Sequence, residues 1–265
     1  MRLGSKSLAH HAKRLARSLI PAHVRFERAG RHSLVAGERE VHELSRLVDP
    51  GTIAIDVGAL IGDYTYSLCK LVGPGGHVLC VEPQSEYARL LRAAAARLGL
   101  PMTVLECALS SRTGFAELCV PFADGRRMAG FASLEDRASA GRKYRVELRR
   151  LDDIAAEVEG RVSFIKVDVE GHELEVFKGG VGALKRHRPN LLVEIEQRHS
   201  PVPIEATFGF IREQGYTGYF LDDRGTRTPI GEFDPRRNHE LIVKQSKFDD
   251  IPNGYISNFI FIPTR

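Results

Sequence analysis

The sequence predicts an α/β fold in which a doubly wound, mostly parallel sheet is covered by helices on both faces. Three observations carry the prediction. Short apolar runs rich in β-branched residues alternate with segments of helical periodicity from residue 52 onward. The first run, residues 52–57, passes at once into a turn carrying Gly58 and Gly62. The next, residues 77–82, follows a single helical segment and ends on the carboxylate of Glu82, completing one βαβ unit.

A chain of 265 residues with 43% hydrophobic and 27% charged residues has the makeup of one globular α/β core with additions. No apolar run approaches the roughly 18 residues that a membrane span needs. Basic residues open the chain without the apolar stretch and small-residue site of a secretory leader, so a cytoplasmic protein is expected. Cys69, Cys80, Cys107 and Cys119 form no C-x-x-C pair and lie mostly in apolar segments, which suits reduced, buried thiols rather than a zinc site. The net charge of +4 is dispersed along the chain, which argues against nucleic acid as a partner.

Residues 5–20 set Leu8, Ala12, Leu15 and Leu19 at helical spacing, with Lys6, Lys13, Arg14 and Arg17 on the other faces, and Pro21 ends the segment. This basic amphipathic helix is expected to pack on the domain or cover its cleft; peripheral contact with an anionic membrane is the alternative. A second helix is expected over residues 38–47, so residues 1–48 form a helical extension and residues 49–265 the main domain. After the first strand come a helix over 63–71, the strand 77–82, a helix over 85–98 favoured by its Ala and Leu content, and a strand at 102–108. Residues 115–150 are less regular and read as an insertion with two candidate strands, 115–121 and 144–149. The alternation resumes with a strand at 162–168, a helix over 173–186, strand 190–195, helix 204–214, strand 217–221 and a closing strand at 256–262. The polar residues 222–255 read as a loop or flap.

Ligands of such sheets bind beyond the carboxyl ends of the strands, where the strand order reverses. Gly58 permits a tight turn there and Gly62 a close helix, with the helix-start residues Tyr64 and Thr65 and the turn residue Ala59 at the cleft. Asp56 decides the class of cofactor. A dinucleotide would put its pyrophosphate at this turn, where a carboxylate repels it, whereas S-adenosylmethionine has no phosphate and carries an ammonium and a sulfonium. Glu82 is placed to accept the two hydroxyls of a ribose, and Cys107 and Ala108 border a slot for an adenine. Ser133 faces either the cofactor or the acceptor.

Asp168, Glu170 and Glu173 crowd one helix start together with His172, and ordinary capping accounts for part of this charge. The remainder makes these carboxylates candidates to position an acceptor hydroxyl, take its proton or hold a divalent ion. Glu194, near the end of an apolar strand, is expected to face the cleft, while His199 is read as a surface histidine. Two other classes share parts of this pattern: a nicotinamide-dependent oxidoreductase or epimerase, against which the absence of G-x-G-x-x-G stands, and a non-catalytic nucleotide-binding protein.

Several ordered motifs together resemble the FkbM-type methyltransferase family over residues 41–263. They are Ile55 to Ala59 with Gly62, Val81, Glu82 and Pro83, Leu151 to Asp153, Ile165 to Gly171 with Glu173, Pro189 with Glu194, and Asn258 to Phe261. The resemblance implies a class I methyltransferase fold, a seven-stranded sheet whose last strand is antiparallel, with S-adenosylmethionine held around Asp56, Gly58 and Glu82. It further implies O-methylation of a hydroxyl on a sugar, glycan or natural product. Leu60 stands where that family commonly has asparagine, Gln84 where it has a small polar residue or asparagine, and Arg150 where it has threonine.

Overall fold

The computed structural model describes residues 20–36, 39–123, 126–135, 141–240 and 255–264. The basic helix expected over residues 5–20 therefore lies, up to residue 19, outside the described residues. The first described helix is α1 (Ala22–Ala36), followed by a 3₁₀ turn at Arg39–His42 and the short α2 (Leu44–Leu47).

The central sheet grows outward from β1 (Ile53–Val57), which is buried at all five positions. It pairs in parallel with β2 (His77–Val81) on one side and β8 (Val162–Val167) on the other. Beyond them, β3 (Met102–Leu105) joins β2 and β9 (Asn190–Glu194) joins β8, again in parallel. The closing strand β12 (Asn258–Pro263) lies antiparallel between β9 and β10 (Tyr216–Leu221). The expected antiparallel last strand is present, but among the described residues the sheet has eight strands and not seven. The eighth, β11 (Arg227–Pro229), pairs with β10 inside the segment read as a loop. Its turn is made by Asp222, whose side chain accepts the backbone N–H groups of Arg224 and Thr226. Arg227, Thr228 and Pro229, two of them exposed at a sheet edge, carry no apolar alternation that would mark a strand.

The helices α3 (Asp63–Val72) and α4 (Ser85–Leu98) pack with α1 and α2 on one face of the sheet. The other face is covered by α5 (Leu151–Ala156), α6 (Glu173–Lys178), α7 (Val181–His187) and α8 (Ile204–Glu213). The single helix expected over 173–186 is thus two, broken at Gly179 and Gly180. Strand alternation divides the core between the faces: Ile53, Ile55 and Val57 join the α5–α8 side, while Ala54 joins the α1–α4 side.

The insertion forms a sheet of its own from β4 (Ala108–Leu109), β5 (Gly114–Ala123), β6 (Arg126–Arg127) and β7 (Gly141–Arg149), in the order β4-β7-β5-β6. The two expected strands are here as the long β5–β7 antiparallel pair, and their small apolar core is Ala108, Leu118, Val146 and Leu148. All four cysteines are buried free thiols. Among the described residues no helix is long and apolar enough to cross a membrane.

Candidate active site

Two neighbouring chambers open beyond the carboxyl ends of β1, β2 and β8, with Gly58, Leu60 and Asp168 in the wall common to both. The first is walled by apolar groups such as Val81, Cys107, Ala108, Leu118 and Leu134, and carries Glu82. The second holds charge: Asp56, Asp63, Asp168 and Lys166 line it together with Tyr64 and Ala59. Its outer wall is His32 and Ser33 of α1.

Close approach of β1 to β8 creates the common wall. Gly58 has a φ of 84°, and a Cβ there would lie 1.9 Å from the carbonyl oxygen of Asp168. Gly62 begins α3 in a left-handed conformation, with the ring of Phe26 of α1 so near that a Cβ would come within 2.4 Å of it. That contact lets α1 settle over the turn and deliver His32 and Ser33 to the second chamber.

Between the two glycines, Leu60 adopts a φ of 45°, which few L residues tolerate. The conformation aims its N–H at Oε2 of Glu82, 2.8 Å away, while the N–H of Gln84 reaches Oε1 at 2.7 Å. Glu82 is 2% exposed, and burial pushes its pKa up to about 7 despite these two donors. The Gln84 side chain donates to the carbonyl of Ala129 and accepts from Arg127, tying the turn after β2 to the small sheet.

Asp56 is 1% exposed. One oxygen accepts the Thr65 hydroxyl at 2.6 Å; the other, Oδ1, is buried without a hydrogen-bond partner among the described residues. Burial raises the Asp56 pKa, Lys166 and Thr65 oppose the rise, and the neighbouring Asp168 and Asp63 add to it. Lys166, itself buried, donates to Asp168 at 2.9 Å and lies 4.6 Å from the centroid of the Tyr64 ring.

A further edge of the first chamber is built around Glu170. Its φ is 56°, a second non-glycine residue in the left-handed region, and its backbone carbonyl accepts the hydroxyl of buried Ser133 at 2.7 Å. Strain of this kind persists where surrounding contacts impose it. The Glu170 carboxylate pairs with Nδ1 of His199. His199 is therefore not a surface histidine: its side chain is 9% exposed and stands edge-on to Phe131, 5.8 Å between centroids. Below it Glu196 binds Arg198 and the Tyr255 hydroxyl. Burial would raise the Glu196 pKa, but Arg198, His199 and Tyr255 outweigh it and hold the carboxyl below the usual range.

The remaining candidates fall elsewhere. Glu173 lines neither chamber; it is buried and accepts the N–H of Gly171 at 2.8 Å, as a cap of its own turn does, with burial pushing its pKa up to about 8. Glu194 ends β9 opposite Asn258 and also lies outside both linings. His172 lines the first chamber between Glu135 and Ser110. Among the described residues no group of three His, Cys, Asp or Glu side chains is arranged to hold a metal ion. Lys166, His32 and Ser33 carried no expectation from the sequence, and His199 was expected at the surface. A lysine inside an apolar strand was a readable signal, whereas the two α1 residues reach the site only through packing.

An apolar slot with a carboxylate in its wall suits a flat base and its ribose. A small chamber with three carboxylates and one buried ammonium is hostile to a phosphate and suits a group carrying positive charge. Comparison with known proteins places the chain among methyltransferases. The model of the methyltransferase FkbM domain matches residues 56–218. Methyltransferase sdnD of Sordaria araneosa is 32% identical over 153 residues, which are 47% of this chain and 59% of that protein. Among solved structures, methyltransferase FkbM from Methylobacillus flagellatus KT superposes with a TM-score of 0.50 at 20% identity, covering 81% of this chain and 44% of that one, a likeness of fold. The chain spans about half the length of these two relatives.

Proposed function

Because the chain belongs to the family of methyltransferases with an FkbM domain, we propose that it is an S-adenosylmethionine-dependent enzyme that methylates a hydroxyl of a sugar, glycan or natural product. The residues present fit that cofactor on the strength of one observation above others: Asp56 lines a chamber, and one of its buried carboxylate oxygens has no hydrogen-bond partner among the described residues. A cationic ammonium supplies what that oxygen lacks. Glu82 would take the ribose hydroxyls, and Cys107 and Ala108 the face of the adenine. When bound, the cofactor supplies a methyl group on a sulfonium, an electrophile that needs no further activation.

What the chain must add is alignment and proton removal. The Glu170–His199 pair supports the choice of a hydroxyl acceptor. Glu170 lines the first chamber two residues beyond Asp168, and its carboxylate is backed by Nδ1 of His199, which lies behind it outside both linings. The proton leaving the acceptor oxygen passes to Glu170, with His199 behind it and with Ser133 and Phe131 holding the two residues in place. The working unit extends beyond residues 49–265, since α1 walls the second chamber.

The test is a screen of glycan and small-molecule hydroxyl acceptors with labelled S-adenosylmethionine, with and without a chelator, followed by single-turnover rates. Glu170→Gln and His199→Asn should each slow transfer by about 10²- to 10⁴-fold with cofactor affinity retained. Unimpaired single-turnover chemistry in either variant removes it from the reaction, and transfer only to amine or carbon acceptors overturns the hydroxyl assignment.

A further inference from the structure

The second chamber contains more buried charge than its packing requires. Strand alternation places that charge: Ala54 and Phe164 lie in the α1–α4 core, and two residues further on Asp56 and Lys166, which are register partners, face the same way. Both emerge at the strand ends, where the chamber begins. Asp56 and Lys166 are 1% and 3% exposed. Burying charged groups is tolerated only when they are paired, and an apolar residue at position 166 would continue the strand without that cost. The ammonium of Lys166 has three donors and the carboxylate of Asp56 is an acceptor with its buried Oδ1 unsatisfied among the described residues. One fixed cation and one fixed anion thus border the same small volume, which α1 closes with Ser33.

We propose that Lys166 and Asp56 together recognise an α-amino acid zwitterion, Lys166 binding the carboxylate of the methionyl end of the cofactor while Asp56 binds its ammonium. The proposal rests on the cofactor reading above and assigns it a further binding residue. Asp63 and Asp168 repel a ligand carboxylate, so without Lys166 the chamber would reject the group that it accepts. Lys166 is then a selector of the amino-acid end, and not only a counterion for its neighbours.

Calorimetry on the full chain with three ligands separates these roles. The ligands are S-adenosylhomocysteine, its decarboxylated analogue S-adenosyl-3-thiopropylamine, and 5′-methylthioadenosine, which lacks the amino-acid end. The unaltered protein should bind the decarboxylated analogue about 10- to 100-fold more weakly than S-adenosylhomocysteine, the margin of one charge-assisted contact. In Lys166→Met that margin should shrink to within about threefold or reverse, with methylthioadenosine affinity unchanged and Lys166→Arg keeping part of the margin. Equal binding of the first two ligands by the unaltered protein overturns the proposal, and this arm requires no variant to fold. A Lys166→Met protein that loses methylthioadenosine as severely as S-adenosylhomocysteine overturns it as well, assigning the lysine a purely structural part. If the unaltered protein binds none of the three, the cofactor reading fails first and the proposal falls with it.

Discussion

At the scale of the residue, Leu60 shows how a single backbone angle serves the site. Its left-handed conformation turns its N–H onto Glu82, and this bond belongs to the backbone whatever side chain is present. Leucine pays a steric penalty in that region that asparagine largely avoids, and asparagine is the residue common here in the family that the sequence resembles. Leu60→Asn should therefore stabilise the protein by up to about 1 kcal/mol, or roughly 2–4 °C in thermal melting. A fall in melting temperature would show that the leucine side chain contributes more to the chamber wall than its backbone costs. Glu170, with the same kind of angle, has a different use, because there the twisted backbone sets a carboxylate against His199.

At the scale of the element, the site depends on how closely β1 and β8 run past one another at Gly58. A methyl group there meets the Asp168 carbonyl at 1.9 Å, and the φ of 84° is itself unfavourable for alanine. Neither strand can yield alone, since each is hydrogen-bonded on both sides. Gly58→Ala should cost several kcal/mol in denaturant unfolding and abolish S-adenosylhomocysteine binding, roughly the upper range for single substitutions; a variant with unchanged stability and affinity would refute the close-approach argument. The core strands were legible because burial on both faces makes them continuous apolar runs. The edge strand β11 was not, and the helix expected over 173–186 was drawn too long because composition alone does not reveal that Gly179 and Gly180 break it against Ser110 and α5.

At the scale of the whole molecule, burying carboxylates for function couples stability to pH. Glu82 and Glu173 have folded-state pKa values of about 7 and about 8, against an ordinary value of 4.5. The folded state thus holds protons that the unfolded chain has already released, so this contribution to stability is full below about pH 4.5 and is lost as the pH rises through 7 and 8. Melting of the ligand-free protein should fall by roughly 5 °C or more between pH 6 and pH 9, and the double variant Glu82→Gln, Glu173→Gln should flatten the slope. A melting temperature that holds or rises across that interval in the unaltered protein would contradict the assignment.

The sequence by itself determined the alternation of core strands with helices, the glycine turn and the chemical identity of the groups around it, because each is written in local periodicity or in a short motif. Asp56, Gly58, Glu82, Cys107, Ala108 and Asp168 all line the two chambers as their positions at strand ends implied. Only the tertiary structure decided which charges meet. Glu173 turned inward to cap its own turn, His199 was drawn under Phe131 to Glu170, and α1 brought His32 and Ser33 over the turn by fitting Phe26 against Gly62. These contacts join residues far apart in the chain, and their geometry follows from close packing between faces rather than from any pattern along one segment.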